Sequence, residues 1–269
     1  MGQLNEVYDF DKHSFYPYGE NIVAIGSSKN DVNISTDGYP TIFPSPTFPL
    51  TELIEKNNFE PITRDDVKKI YNDINKCLMS SHDRTQWTRK IGFPLFTKED
   101  IEELAVILKG KKVLEVLAGT GYLGYYLTRH GVDIIQTDNK SWSDYFFSNK
   151  LDTYKRYFFN RSVITMDAIE AIDKYSDWAD VVLMTWPPFK ESIGEEVVKR
   201  CINYGIDILY EGEYDYGNCG SNEMFDLLDN FFNKEVIIKD SLHWYGMNDY
   251  YSYYKYRPTL VQKEVLFEG

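Results

Sequence analysis

Residues 112–138 read KVLEVLAGTGYLGYYLTRHGVDIIQTD, and this stretch decides the class of fold. It begins with an apolar run at 113–117, interrupted by one acidic residue, which predicts a β-strand. A glycine-rich turn follows, then a helical pattern over 122–130 with Gly131 as its C-cap, then a second strand over 132–137. Two strands joined through one helix predict a parallel pair, because strands that run in the same direction need a crossover connection.

The alternation of strands and helices continues along the chain. Further strand patterns lie at 162–165, 181–185, 206–210, 236–238, 250–256 and 261–267. Further helical patterns lie at 97–108, 167–174, 191–203 and 221–232. Alternation at this spacing predicts an α/β fold, in which a mostly parallel sheet carries helices on both faces.

The N-terminal part of the chain has a different pattern. Residues 1–60 are poorly periodic, and four of the ten prolines fall within 40–49, where they interrupt helices and strand pairing. The run at 21–25 could form a short strand. Helical spacing begins at Thr63, which forms a capping-box pattern with Asp66. We therefore expect an N-terminal arm followed by a helical segment.

Composition narrows the classes of partner and location. The chain has 29 Lys+Arg against 42 Asp+Glu, a formal net charge of −13, so a broad surface for nucleic-acid phosphates is not favoured. The one locally basic stretch is 68–90. No apolar run is long enough to span a membrane, and the N-terminus lacks the regions of a signal peptide. Three widely spaced cysteines fit reduced thiols in a cytoplasmic protein without a metal site.

The glycine-rich turn and the strand after it predict a nucleoside ligand. Gly119, Gly121 and Gly124 match the pattern G-x-G-x-x-G between a strand and a helix. Glycine lets the backbone approach a ligand closely, and the following helix points its free N–H groups at that ligand. Asp138 ends the next strand, where a carboxylate can accept hydrogen bonds from both hydroxyls of a ribose.

Two further acidic residues bear on which nucleoside is bound. Glu115 lies inside the first strand, which is usually apolar in dinucleotide-binding folds, and it either faces a charged ligand or points outwards. Asp167 follows the third strand, where it could hydrogen-bond an adenine edge, cap the following helix, or do both.

A proline pair ends the strand at 181–185. Trp186-Pro187-Pro188-Phe189 has two fixed φ angles in succession, which make a rigid lip at the carboxyl end of the sheet, where open α/β folds place their ligands. Glu213 and Asp249 are candidates for a base or a substrate ligand at the same edge.

The glycine turn, its acidic partners and the Trp-Pro-Pro-Phe segment resemble class I S-adenosylmethionine-dependent methyltransferases, over roughly 90–257. The chain is most similar to an uncharacterised methyltransferase-like family, whose recurring segments look like Gly92-Phe93-Pro94-Leu95, Gly119-Thr120-Gly121-Tyr122, Trp186-Pro187-Pro188-Phe189, Tyr210-Glu211-Gly212-Glu213, Gly217-Asn218-Cys219-Gly220 and Trp244-Tyr245-Gly246-Met247-Asn248-Asp249. Leu117 stands where the methyltransferase motif commonly has its first glycine, and Trp186 replaces the usual polar residue.

This resemblance implies a Rossmann-like domain over 97–269, preceded by an N-terminal arm and helical flap over 1–96. Arg84, Trp87 and Arg89, with the Gly92-Phe93-Pro94 turn, would then lie over the mouth of the cofactor site. It implies S-adenosyl-L-methionine as cofactor, held by Glu115, Ala118, Gly119, Thr120, Gly121, Tyr122, Asp138, Asn139, Asp167 and Ala168.

The expected activity is methyl transfer to an unidentified acceptor, with a small molecule or protein favoured over nucleic acid. The residues expected around the acceptor are Trp186, Pro187, Pro188, Phe189, Glu213 and Asp249. Three alternatives stay open: an enzyme that cleaves S-adenosylmethionine, an NAD-dependent oxidoreductase, and a non-catalytic cofactor-binding module.

Overall fold

The computed structural model describes residues 33–34, 40–41, 49–71, 80–141, 163–214, 217–244 and 246–258. Within this part of the chain, seven strands form one sheet: β3 (Lys112–Val116), β4 (Asp133–Asp138), β5 (Ile164–Thr165), β6 (Val181–Thr185), β7 (Asp207–Glu213), β8 (Phe232–Ile238) and β9 (Asp249–Tyr256). The short strands β1 (Asn33–Ile34) and β2 (Pro40–Thr41) pair separately. The strands predicted at 21–25 and 261–267 lie outside the described residues.

The order of the strands across the sheet is β5-β4-β3-β6-β7-β9-β8. Five neighbouring strands, from β5 to β7, run parallel, and β9 is antiparallel to both β7 and β8. The predicted Rossmann-like α/β fold with a mostly parallel sheet is confirmed. The strand that follows β3 along the chain, β4, lies on one side of the β3–β6 pair within the sheet, and the strand that follows β6, β7, lies on the opposite side. A topological switch point therefore lies between β3 and β6.

Eight helices surround the sheet in the described part of the chain: α1 (Pro49–Lys56), α2 (Arg64–Tyr71), α3 (Ser80–Lys90), α4 (Lys98–Ile107), α5 (Tyr122–Arg129), α6 (Ala168–Tyr175), α7 (Ile193–Tyr204) and α8 (Asn222–Phe231). Strand residues alternate between two hydrophobic clusters, one on each face of the sheet. Val113 and Leu209 belong to one cluster, and Leu114 and Ile208 belong to the other. Alternation of this kind follows from the two-residue period of a strand.

Local sequence signals fix several helix ends. Thr63 exchanges hydrogen bonds with Asp66, and Thr97 forms a full capping box with Asp100 at the start of α4, so both predicted helix starts are confirmed. Gly131 has a φ of 83° just after α5, as expected of a residue that ends a helix in the left-handed conformation. No helix of the described residues combines the length and the apolar composition needed to cross a bilayer.

The described residues of 49–71 and 80–96 pack on the face of the sheet that carries α4 and α5. Their buried members, such as Ile54 and Trp87, share a hydrophobic cluster with Leu104 of α4 and Leu127 of α5. The proposed boundary between residues 96 and 97 therefore runs through one packed cluster, and the division into an arm with a flap and a Rossmann-like domain stays a prediction.

Candidate functional site

Most of the residues singled out in the sequence come together at the carboxyl edge of the parallel strands, whereas Glu115 lies inside β3 and packs against α5. Pairing of β3 with β6 places the glycine turn beside the Trp186–Phe189 segment, at the switch point. Pairing of β4 with β5 places Asp138 beside the turn that leads to Asp167, since Met166 N donates to Asp138 O at 3.1 Å. On the other side, Glu213 is the register partner of Asp249.

The glycine turn presents open backbone. Gly119 and Gly121 have φ values of 56° and 75°, in the left-handed region that favours glycine. A Cβ atom built on Gly119 would meet nothing within 4 Å, so space lies directly over this peptide. Gly121 N donates to Ala118 O at 2.9 Å, which closes the turn just before α5.

Asp138 connects the end of β4 to the glycine turn. Its Oδ2 accepts a hydrogen bond from Gly119 N at 2.8 Å, and its Oδ1 accepts one from Lys140 N at 2.6 Å. The adjacent Asn139 is exposed and accepts a hydrogen bond from Ser141 N. A carboxylate is thereby held against the turn at which a nucleoside was expected.

Asp167 is a helix N-cap. Its Oδ1 accepts a hydrogen bond from Ile169 N at 2.8 Å, while Ala168, the first residue of α6, is buried. The capping role that the sequence left open is therefore present. The half-buried Asp167 lies next to Asp138 along the carboxyl edge, where it can still border a ligand.

Glu115 is a residue of β3, and its side chain lies between this strand and α5. Its side chain is 1% exposed, and its Oε2 accepts a hydrogen bond from Gln136 Nε2 at 2.6 Å. Burial raises the pKa of Glu115 from 4.5 to about 8, against the opposing effect of the Gln136 hydrogen bond. A Cβ on Gly124 would collide with Glu115 and Gln136, so the third glycine of the motif is needed for close packing of the helix on the strand.

Two other residues that are predicted to bind the cofactor have side chains that contact residues preceding α4. Thr120 Oγ1 donates to Ile91 O, and Tyr122 OH donates to Phe59 O at 3.2 Å. Tyr122 also stacks on Phe96, with ring centroids 6.0 Å apart. Contacts between these two residues and a cofactor would therefore involve their backbone.

Two residues other than glycine have a left-handed backbone conformation at this edge of the sheet. Leu117 has a φ of 54° just after β3, and Trp186 has a φ of 45° just after β6. Such conformations are uncommon for residues with a bulky side chain and cluster at functional sites. Leu117 therefore has a backbone conformation that favours glycine.

Trp186 is covered by residues that precede α4. Its ring stacks on Phe93 with centroids 5.7 Å apart, and the Arg84 guanidinium lies 5.1 Å from its centroid. Its indole Nε1 donates to Asp249 Oδ2 at 3.4 Å. In the next residue, Pro187 O accepts a hydrogen bond from Gly220 N at 3.0 Å, whereas Pro188 is exposed.

Glu213 is tied to the two loops beside it. Its Oε2 accepts hydrogen bonds from the backbone and side-chain nitrogens of Asn218, at 2.7 and 2.8 Å, and its Oε1 accepts one from Asn248 N at 2.9 Å. These contacts make Glu213 an anchor for both loops, whatever its part in chemistry. Cys219 lies beneath it, and burial raises the pKa of this thiol to about 12, which suits a packed thiol rather than a nucleophile.

Sequence reasoning did not single out Glu211, which the structure places beside Asp249. Glu211 is 2% exposed and Asp249 is 6% exposed, and the two carboxyl groups lie close enough to affect each other's ionisation. Burial and the neighbouring Asp249 charge raise the pKa of Glu211 well above its usual value. Burial also raises the pKa of Asp249. The sequence signal that could have revealed Glu211 is an acidic residue inside an otherwise apolar strand, which is the same signal that revealed Glu115.

No protein-family model and no curated sequence matches the chain. Among solved structures, it is similar to the tRNA (uracil-54, C5)-methyltransferase of Pyrococcus abyssi in complex with S-adenosyl-L-homocysteine. The identity there is 16%, over 58% of this chain and 37% of that chain, with a TM-score of 0.38. It is also similar to an rRNA methylase from Streptococcus thermophilus, at 12% identity over 60% and 96% of the two chains, TM-score 0.37. TehB from Haemophilus influenzae matches at 16% identity over 65% and 67%, TM-score 0.36. The match thus spans little more than a third of the first of these proteins.

Proposed function

We propose that the chain is an S-adenosylmethionine-dependent methyltransferase that acts on a small molecule or a protein. The observation that carries the proposal is the contact between Asp138 and Gly119 N, beside the open space over Gly119. It joins an acceptor for ribose hydroxyls to a backbone that a ligand can approach closely.

The residues at this edge fit the nucleoside part of the cofactor. Asp138 presents a carboxylate next to the glycine turn, and a carboxylate can accept hydrogen bonds from ribose hydroxyls. Asp167 and Ala168, at the end of the neighbouring strand, would border the adenine. When bound, the cofactor supplies an electrophilic methyl group on a sulfonium. The protein would contribute chiefly by holding the acceptor in line with that group.

The sheet order supports this cofactor over a nicotinamide dinucleotide. Dinucleotide-binding folds commonly have six parallel strands in the order 3-2-1-4-5-6. Here the antiparallel β9 lies between β7 and β8 and interrupts that order. The buried Glu115 in the first strand also departs from the apolar strand of those folds.

One observation favours a second candidate, a cofactor-binding module without catalysis. Phe93 and Arg84 both contact the ring of Trp186, so the flap covers the residue expected to border the acceptor. Such a module would bind the cofactor tightly and show no turnover with any acceptor.

Calorimetry with the full chain tests the proposed cofactor. We expect saturable binding of S-adenosyl-L-homocysteine and no binding of NAD. Asp138→Ala should weaken that binding by about 1–3 kcal/mol, through loss of hydrogen bonds to a charged acceptor. Asp133→Ala is the matched control, because Asp133 lies exposed at the opposite end of the same strand. Binding of NAD alone, or equal affinities in both variants, would contradict the assignment.

A second experiment tests whether transfer occurs. Cell extract incubated with the protein and a cofactor labelled in its methyl group should yield a labelled acceptor, detected by mass spectrometry. Cofactor breakdown without any labelled acceptor would instead indicate an enzyme that cleaves S-adenosylmethionine.

A further inference from the structure

Trp186 presents a fixed aromatic surface at the switch point of the sheet. It follows β6 directly and lies next to the glycine turn that follows β3. Its indole Nε1 donates to Asp249 Oδ2 at 3.4 Å, and its side chain belongs to the hydrophobic cluster on one face of the sheet. These contacts do not involve Phe93, so the indole stays in place if the ring of Phe93 moves.

The ring of Phe93 covers Trp186 from the solvent side. The two rings are nearly parallel, at 9°, with their centroids 5.7 Å apart. Trp186 is 7% exposed, whereas Phe93 is 37% exposed and, among the described residues, belongs to neither hydrophobic cluster. Exposed side chains change rotamer within nanoseconds. Phe93 is therefore a removable cover on a fixed surface.

The backbone on both sides of Phe93 is anchored. Ile91 O accepts a hydrogen bond from Thr120 Oγ1 in the glycine turn, and Pro94 O accepts one from Trp87 Nε1 at 2.9 Å. Lifting this whole turn would break both hydrogen bonds and expose Ile91, which is 1% exposed. Rotating the Phe93 side chain gives up one aromatic contact, which changes an equilibrium by only about two- to tenfold. The side chain of Phe93, and not the turn, is the part that opens.

A flat ring fits the position that Phe93 would leave. The volume that the Phe93 ring vacates is the volume that such a group needs, and the remaining face of Trp186 is the surface on which it would stack. A saturated ring of similar size is thicker and has no π-face, so it would fit less well. Because Trp186 follows β6, a ring in this position would lie on the acceptor side of the proposed cofactor site.

We propose that the methyl acceptor carries a planar ring that takes the place of the Phe93 ring on Trp186, and that Phe93 is the gate to this position. This inference rests on the proposed methyltransferase function and names a feature of its substrate. It has a consequence of definite sign. Phe93 competes with the acceptor ring for Trp186, so its removal strengthens the binding of a planar ligand, whereas removal of an ordinary contact residue weakens binding.

Fluorine NMR of the full chain labelled with fluorotryptophan tests the stacking position without turnover. The chain has five tryptophans, and the Trp186 resonance is the one that is lost in Trp186→Phe. The probes are benzyl alcohol and cyclohexylmethanol, which are similar in size and differ in planarity. We expect benzyl alcohol to shift the Trp186 resonance saturably and cyclohexylmethanol to leave it unchanged. Equal behaviour of the two probes, or no shift with benzyl alcohol, would overturn the inference.

Variants of Phe93 test its role as the gate. Phe93→Ala should bind benzyl alcohol about two- to tenfold more tightly than the unaltered chain, because the ligand no longer displaces a ring. Phe93→Leu, which keeps an apolar side chain without a flat face, should also bind it more tightly. Tyr204→Ala is the control, since Tyr204 is 45% exposed at the end of α7, away from Trp186. Unchanged or weaker binding in both Phe93 variants would contradict the gate.

Titration of S-adenosyl-L-homocysteine into the same protein separates the two proposals. A chain that binds benzyl alcohol at Trp186 but not S-adenosyl-L-homocysteine would contradict the methyltransferase function and leave the stacking position intact. The converse result would overturn only the inference about the acceptor. With S-adenosyl-L-homocysteine bound, benzyl alcohol should still shift the Trp186 resonance. Competition between the two ligands would place the ring in the cofactor site and overturn the inference.

Discussion

Leu117 and Trp186 carry backbone strain at the ends of two paired strands. A left-handed conformation costs a residue with a side chain about 1–2 kcal/mol. At position 117 we therefore expect Leu117→Gly to be more stable than Leu117→Ala, by about 0.5–1 kcal/mol after allowing for the entropy of glycine in the unfolded chain. Denaturant unfolding of the two variants measures this difference.

The control for this comparison is Thr185, a half-buried residue at the end of β6 with an ordinary strand backbone. There the alanine variant should be more stable than the glycine variant, because glycine only weakens a strand. If alanine is the better residue at both positions, strain at Leu117 does not contribute to stability.

Single residues differed in how far the sequence could reveal them. Asp138 could be singled out because a strand-terminal carboxylate after a glycine turn is a local pattern, and the structure places it in contact with Gly119. Its part in binding a ligand stays a prediction. Glu211 was not predictable as part of a pair, because its partner Asp249 is distant in sequence and reaches it only through the pairing of β7 with β9. Likewise, no pattern linked Glu115 to Gln136.

At the scale of elements, Asp83 on α3 caps a different helix. Its carboxylate accepts hydrogen bonds from Leu50 N and Thr51 N at the start of α1, and from Tyr71 OH at the end of α2. Asp83→Ala should lower the free energy of unfolding by about 2–3 kcal/mol, because it leaves buried donors unpaired at a helix N-terminus. Thermal unfolding followed by circular dichroism would measure the loss.

A matched substitution is available on α2. Asp65 also lies in the first turn of a helix, but it is exposed, so Asp65→Ala should cost no more than about 0.5 kcal/mol. Similar losses in the two variants would show that Asp83 does not hold α1, α2 and α3 together.

The individual elements were largely predictable, and their arrangement was less so. Capping residues and apolar periodicity located β6 and α4 closely, because both signals are local. The place of β9 was not predictable, since its tyrosines occupy both faces and its two neighbours in the sheet are set by distant pairing. The long-range cap by Asp83 has no local signature either.

At the scale of the whole molecule, the formal charge of −13 counts every carboxylate as ionised. Burial keeps Glu115 largely protonated at neutral pH, since its pKa is raised to about 8, and raises the pKa of Glu211 and Asp249 as well. The folded chain therefore carries less negative charge than its composition suggests. These carboxyl groups also make its stability depend on pH.

The direction of that dependence follows from the raised pKa of Glu115. Its contribution to stability is complete below its unfolded pKa of about 4.5 and is lost as the pH rises towards about 8, because the unfolded chain ionises first. Relative to Glu115→Gln, the unaltered chain should lose about 1.4 kcal/mol per pH unit between about pH 5.5 and 7.5. Denaturant unfolding across this range measures the slope, and parallel curves for the two proteins would refute the prediction.

The position of β9 also has a consequence for how the chain is made. β9 is the last described strand, yet it fills the place between β7 and β8. During synthesis from the N-terminus, β7 must remain an unpaired edge on that side until residues 249–256 have left the ribosome. A growing chain that stalls before them would expose a strand edge that can pair with other chains, so nascent fragments ending before residue 249 should be especially prone to aggregate.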